Sequence, residues 1–222
     1  MVSLIHGLPR LKELYLPPYW STTLVLEAAS MLQDLERFQA IEFYCCGTGL
    51  TEDVDTVQPS LRKGAFASLK FLAFCASLDD VLRLLTQVHG PKPTMLKVHS
   101  NTSETPVQIQ SYLGILADVV PCVKVVTLDV RRKVTLSSTL PLHDEHLRPI
   151  RLLGSLRAFE IYHSQPLHLS DDDLDKLLSD LPNMTDLILA PHPTEHAGPR
   201  PVMLSLAAVE VVARHCPSLV RL

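Results

Sequence analysis

Apolar residues recur along the chain at spacings of three, three and two, which neither a helix nor an alternating strand produces alone. Leu8, Leu11, Leu14 and Leu16 open the pattern. It returns at Leu35, Phe38, Ile41, Phe43, then at Phe66, Leu69, Leu72, Phe74, and at Val120, Val123, Val126, Leu128. Leu153, Leu156, Phe159, Ile161 and Leu181, Met184, Leu187, Leu189 continue it. A weaker unit keeps only Leu96 and Val98, and a final one stops at Cys216, Leu219, Leu222. The closing positions 16, 43, 74, 98, 128, 161 and 189 lie between 24 and 33 residues apart.

Between these units the period changes to that of a helix. Residues 77–88 place Leu78, Val81, Leu82 and Leu85 on one face behind Ser77, with Asp79 and Asp80 in the first turn where the helix dipole favours them. Residues 170–181 repeat that logic, with Ser170 as cap, Asp171 to Asp173 at the start, and Leu174, Leu177, Leu178 and Leu181 behind. The patterning predicts further helices over 22–34, 106–118, 144–153 and 204–215. In several units a proline, Pro9, Pro121, Pro182 or Pro217, stops the preceding helix before the strand. The polar, Pro-bearing stretches 47–60, 131–143 and 191–201 read as loops leaving the strand ends.

Strand and helix alternating at one period predict an α/β leucine-rich-repeat solenoid of right hand. Its parallel sheet would line a concave face and its helices a convex one, in a single domain over 1–222. The repeats resemble the leucine-rich-repeat region of fungal F-box proteins, through Leu8-Pro9-Arg10-Leu11, Leu181-Pro182-Asn183-Met184 and Cys216-Pro217-Ser218-Leu219. In that family an N-terminal F-box binds the adaptor of a cullin-type ubiquitin ligase, and the repeats hold the substrate protein. The resemblance thus implies a substrate receptor whose adaptor is engaged through an N-terminal F-box, and no F-box is visible in this sequence. Leu16-Pro17-Pro18 imitates the start of an F-box, but Tyr19 stands where an acidic residue is usual. The chain opens almost directly in a repeat and ends before the last strand is complete, so the expectation is a fragment of a longer protein.

Composition narrows the functions. The net charge is −4, from 24 acidic and 20 basic residues, and the longest basic run is Arg131-Arg132-Lys133, too little to track a phosphate backbone. Aromatic residues are only 5% of the chain, which leaves few platforms for stacking bases. Nucleic acid and membrane are therefore not expected partners. The five cysteines, Cys45, Cys46, Cys75, Cys122 and Cys216, form no C-x-x-C pair, and with no signal-like apolar segment at the start they read as reduced thiols, so cytoplasm or nucleus is the expected location.

No catalytic, cofactor or metal site is expected. His192-Pro193-Thr194-Glu195-His196 has the letters of a zinc-peptidase motif, which needs a helix to aim both imidazoles at one ion, and its prolines forbid that helix. His143 and His146 stand three apart, but Asp144 and Glu145 between them are accounted for by a helix start. Asp171, Asp172, Asp173 and Asp175 lack the spacing of a calcium loop, and Gly47-Thr48-Gly49 lacks the rest of a phosphate loop. Cys46 and Asn101, three residues beyond strand anchors, read as turn residues that satisfy backbone groups.

Binding is expected on the strand residues that alternate with the buried ones. The middle row would be Tyr15, Glu42, Ala73, Lys97, Thr127, Glu160 and Ile188. Tyr44, Cys75, His99, Asp129 and Tyr162 flank it on one side, and Glu13, Ala40, Phe71, Met95, Val125, Ala158 and Asp186 on the other. Tyr15, Glu42, Tyr44, Phe71, Lys97, His99, Asp129, Glu160 and Tyr162 are the candidate contact residues, the aromatics among them because such side chains anchor interfaces. The functional expectation is a non-enzymatic module that holds a protein or peptide. Its alternatives are an adaptor or inhibitor unconnected with ubiquitin and, remotely, a metal-dependent hydrolase.

Overall fold

The computed structural model describes residues 1–40, 57–100, 102–131, 140–163, 167–191 and 204–222. These fall into two compact units, Met1–Thr102 and Ser103–Leu222.

The first unit runs α1 (Val2–His6), β1 (Glu13–Tyr15), α2 (Thr23–Ser30), β2 (Arg37–Ala40), β3 (Phe71–Cys75), α3 (Leu78–Gln87) and β4 (Met95–His99). Its four strands are parallel neighbours in chain order, with Leu14, Phe38, Leu72 and Leu96 in one register column. Phe38, Leu72, Phe74, Leu96 and Val98 are buried, as are Leu78, Val81, Leu84 and Leu85 of α3. Ser77 caps α3 by accepting from the amide of Asp80. Asp80 is itself buried, with one carboxylate oxygen on Arg83 and the other receiving the amide of Val57.

The second unit runs α4 (Pro106–Val119), β5 (Val125–Val130), β6 (Leu142–His143), α5 (Asp144–Leu147), β7 (Ala158–His163), β8 (Leu167–His168), α6 (Asp171–Leu178), β9 (Asp186–Pro191) and α7 (Ala207–His215). Here β5, β7 and β9 are parallel neighbours, and β6 and β8 form a separate parallel pair. The core side of this sheet carries Val126, Leu128, Phe159, Ile161 and Leu187, all buried, together with Ile109, Leu113, Leu116, Leu174, Leu177 and Leu178 from the helices. Capping boxes start α4, through Thr105 and Gln108, and α6, through Ser170 and Asp173.

The seven longer strands belong to one all-parallel sheet in the order β1-β2-β3-β4-β5-β7-β9, an α/β fold in βαβ units. That corrects the expected leucine-rich-repeat solenoid. Equivalent coils would need equivalent crossovers, and these differ in kind. Helices of eight, ten and fourteen residues follow β1, β3 and β4. The described part of the passage from β2 to β3, residues 57–70, holds no helix at all. After β5 comes a four-residue helix that passes into a 3-10 stretch, Arg148–Leu152, with Pro149 ending the α-helical bonding expected over 144–153. The inner rows are not open along their whole length either. Ala73, Cys75, Thr127 and Asp129 are all buried, the two-sided burial of strands in a layered α/β protein.

The misleading spacing has a local cause. The amide of Leu11 donates to the carbonyl of Leu8 at 3.0 Å, and the same three-residue turn closes at Leu35 on Leu32, Leu69 on Phe66, Val123 on Val120, Leu156 on Leu153, Met184 on Leu181 and Leu219 on Cys216. A turn of that kind followed by a strand with alternate residues buried yields the spacing three, three, two. It describes how a chain enters a parallel strand, whichever architecture the strands then build.

Candidate functional site

The side chains with chemistry on the sheet gather in the second unit, opposite its aliphatic core. Register places Thr127, Glu160 and Ile188 in one row, Asp129, Tyr162 and Ala190 in the next, and Val125, Ala158 and Asp186 in the third. Alternation along each strand sends these residues to the face that Val126, Phe159 and Leu187 leave.

Glu160 is the hub. One carboxylate oxygen accepts from the hydroxyl of Thr127 at 3.2 Å and from the phenol of Tyr162 at 3.5 Å. The other is ion-paired with a guanidinium nitrogen of Arg221, whose Nε reaches Asp186 at 2.9 Å. Asp186 also accepts from the hydroxyl of Thr185 at 2.8 Å. Beside this set Arg131 grips Asp129 with two nitrogens and lies 5.1 Å from the centre of the Tyr162 ring. The carboxylates are recessed, Asp129 at 11% and Glu160 at 12% side-chain exposure, while Arg131 and Arg221 remain 41% and 53% exposed. Desolvation, aided by the charge of Glu160, raises the pKa of Tyr162, so its phenol keeps the proton it donates. The hydrogen bonds to Asp129 raise that of Arg131.

In the first unit the corresponding face is sparser. Tyr15, 57% exposed, donates to Glu13 at 2.7 Å, and that bond raises the tyrosine pKa. The guanidinium of Arg37 stands 4.0 Å over the ring of Phe71. Lys97 is half-buried and shares its row with Tyr15, Gln39 and Ala73, whereas His99 is exposed beside Cys75.

Of the candidate contact residues, Asp129, Glu160 and Tyr162 are thus brought together in one unit and Tyr15, Phe71, Lys97 and His99 share a face in the other. Glu42 and Tyr44 lie outside the described residues, and the register of β2 differs from that expected. Phe38 pairs with Leu14 and Ala40 with Phe74, so Arg37 and Gln39 take the row positions given to Ala40 and Glu42. Ala40, expected on the binding face, is fully buried. Sequence reasoning missed Arg37, Arg131 and Arg221. Carrying the alternation of the last unit one step back from Leu222 would have set Arg221 beside Asp186, where a parallel bridge holds it.

The residues declined for metal chemistry divide into two groups. His192, Glu195 and His196 lie outside the described residues, with Cys45, Cys46, Gly47, Gly49 and Asn101. His143 and His146 form the start of α5, where Nδ1 of His146 accepts from the amide of His143 at 3.0 Å. Pairing of β6 with β8 brings His168 edge-on to His143, with ring centres 5.1 Å apart, a contact the sequence did not announce. Among the described residues no three His, Cys, Asp or Glu side chains converge as a metal site. Ser170 caps α6 by accepting from the amide of Asp173 and donating to its carboxylate, and Asp171 accepts from the amide and hydroxyl of Ser205 at 2.9 and 2.5 Å.

No protein-family model matches the chain, and no curated protein does. No family is assigned. The likeness to the repeats of fungal F-box proteins is therefore corrected as well: the three segments that carried it are strand-entry turns of a parallel α/β sheet, a feature without family content. Among the described residues no helix is long and apolar enough to cross a membrane.

Proposed function

We propose that the chain is a non-enzymatic interaction module, and that the polar face of β5, β7 and β9 holds a protein or peptide partner. One observation carries the reading: Arg131, Tyr162 and Arg221 are held in place by recessed carboxylates and still present exposed surface. Pre-ordering of this kind lowers the side-chain entropy lost on binding, which otherwise costs about 0.5–1.5 kcal/mol per long side chain. Tyrosine and arginine are also the side chains that concentrate energy at interfaces. The partner's matching chemistry is carboxylate or backbone carbonyl for the two guanidinium groups, with an apolar or cationic group over the tyrosine ring. The ubiquitin-ligase role rested on the family likeness alone and has no support from this face.

The test uses a photo-crosslinking amino acid placed at Arg131 and, as control, at Lys176, which is exposed on α6. A discrete protein adduct at position 131 that Tyr162→Ala and Arg221→Ala abolish, while the fold stays intact by circular dichroism, is the expected result. Adducts equal at both positions, or indifferent to those substitutions, would remove this face as the site.

A further inference from the structure

Arginines on the strand faces of the two units keep different company. In the second unit Arg131 and Arg221 engage carboxylates with two nitrogens each. In the first, Arg37 is half-buried with its guanidinium 4.0 Å over the centre of the Phe71 ring, and among the described residues none of its side-chain nitrogens has a hydrogen-bond or ion-pair partner. Glu13 stands opposite Arg37 in the β1–β2 register, but its carboxylate is taken by the phenol of Tyr15 at 2.7 Å. Gln39, two residues along the same face of β2, likewise has no side-chain partner among the described residues. Stacking on a ring keeps a guanidinium fork in one orientation while its N–H donors stay available to an acceptor.

The surroundings select the acceptor. Among the described residues the fixed charges on this face are two cations, Arg37 and Lys97, against the one carboxylate of Glu13. The excess of a single positive charge matches a monoanionic carboxylate, whereas a phosphate dianion would keep an uncompensated charge near Glu13. The row of Arg37 continues through Phe71 and Met95, both half-buried, where an apolar group next to the anion finds cover.

We propose that the face around Arg37 is a second docking site, and that it receives an acidic segment of a protein partner. A Glu or Asp carboxylate is held by the Arg37 fork and the Gln39 carboxamide, and an adjacent apolar side chain of the partner lies on Phe71 and Met95. Tyr15 is a positioning residue: by holding Glu13 it keeps that carboxylate off Arg37. The site lies wholly within the first unit and does not depend on the face of β5, β7 and β9, so loss of one leaves the other standing.

The experiment follows the Arg37 Nε–H and the β2 and β3 amides of the 222-residue chain by proton–nitrogen NMR during titration with the capped tripeptide N-acetyl-Leu-Glu-Leu-amide. Saturable shifts at these signals are expected, and none over the same concentrations with the Gln-for-Glu tripeptide or with inorganic phosphate. Arg37→Lys keeps the charge but not the fork, and weakens binding about tenfold or more. Tyr15→Phe releases Glu13 toward Arg37 and weakens binding as well. Adding Glu13→Gln to it restores binding, and Glu13→Gln alone strengthens it about threefold, the effect of one screened surface charge. Shifts that do not saturate or that fall elsewhere, equal binding of the Gln tripeptide, phosphate bound as tightly as the Glu tripeptide, an Arg37→Lys chain that binds like the wild type, or no rescue by Glu13→Gln would each overturn the proposal. The comparison of tripeptides and phosphate uses the unaltered chain, so it decides the matter even where a variant fails to fold.

Discussion

The two units bury the same kind of strand face by different means. In the first unit that face is covered where it is apolar, at Ala73 and Cys75, and its polar groups at Tyr15, Glu13, Arg37 and Gln39 stay at or near the surface. In the second Ala158 is covered, but so are the polar Thr127 and Asp129, with Glu160 nearly so, and each of these three has an explicit cross-strand or neighbouring partner. A small apolar side chain can be buried with no further condition, whereas a buried polar group costs free energy until its hydrogen bonds are made. In the second unit the covered carboxylates accordingly hold the exposed Arg131 and Arg221 in fixed positions.

Three experiments press on this contrast, the largest effect first. On the core side the units should behave alike: Phe38→Ala and Phe159→Ala each remove a fully buried ring and should each lower stability by about 3–5 kcal/mol in urea denaturation. A cost under ~1 kcal/mol for either would mean that its unit is not packed as described. On the polar face they should diverge. Glu160→Ala leaves Arg221 and Thr127 short of a partner and should cost about 1–3 kcal/mol, while Gln39→Ala, in the equivalent row of the first unit, should cost about 0.5 kcal/mol or less. Equal losses would dissolve the distinction.

The smallest effect is with acid. Hydrogen bonds from Ser170 hold the Asp173 carboxyl below its ordinary value, and those from Ser205 do the same for Asp171. In the first unit Lys70 lowers Glu36 in the same way. A carboxyl with a depressed folded value contributes stability that is complete above the unfolded pKa, about 4, and is lost as pH falls through the folded one. Stability should therefore decline below about pH 4. The double substitution Ser170→Ala with Ser205→Ala should make that decline shallower, seen as urea midpoints at successive pH values. An unchanged slope would show that the two aspartates are not linked to folding.

Much of the local structure was legible from short stretches of residues. Ser77 and Ser170 announced the helices they cap, because an N-cap depends on three or four consecutive residues. Helix ends were harder: α2 stops at Ser30 and not near residue 34, as the chain turns through Leu32 and Leu35 to enter β2. The register of β2 slipped by three residues because Ala40, a full member of the core column, has too short a side chain to stand out against Phe43. On the polar face the alternation placed Asp129, Glu160 and Tyr162 in adjacent rows, but gave no sign that Arg221, 61 residues away, completes the set around Glu160.

By itself, then, the sequence determined the turns, the caps and, for every strand but β2, which side is apolar, since all of these are set by neighbours within one or two turns of chain. The tertiary structure alone decided that unequal crossovers feed one parallel sheet, that Ala73, Cys75, Thr127 and Asp129 on its second face are buried, and that Glu160 meets Arg221. Those outcomes depend on free energies shared between segments far apart in the chain, and no local period carries a record of them.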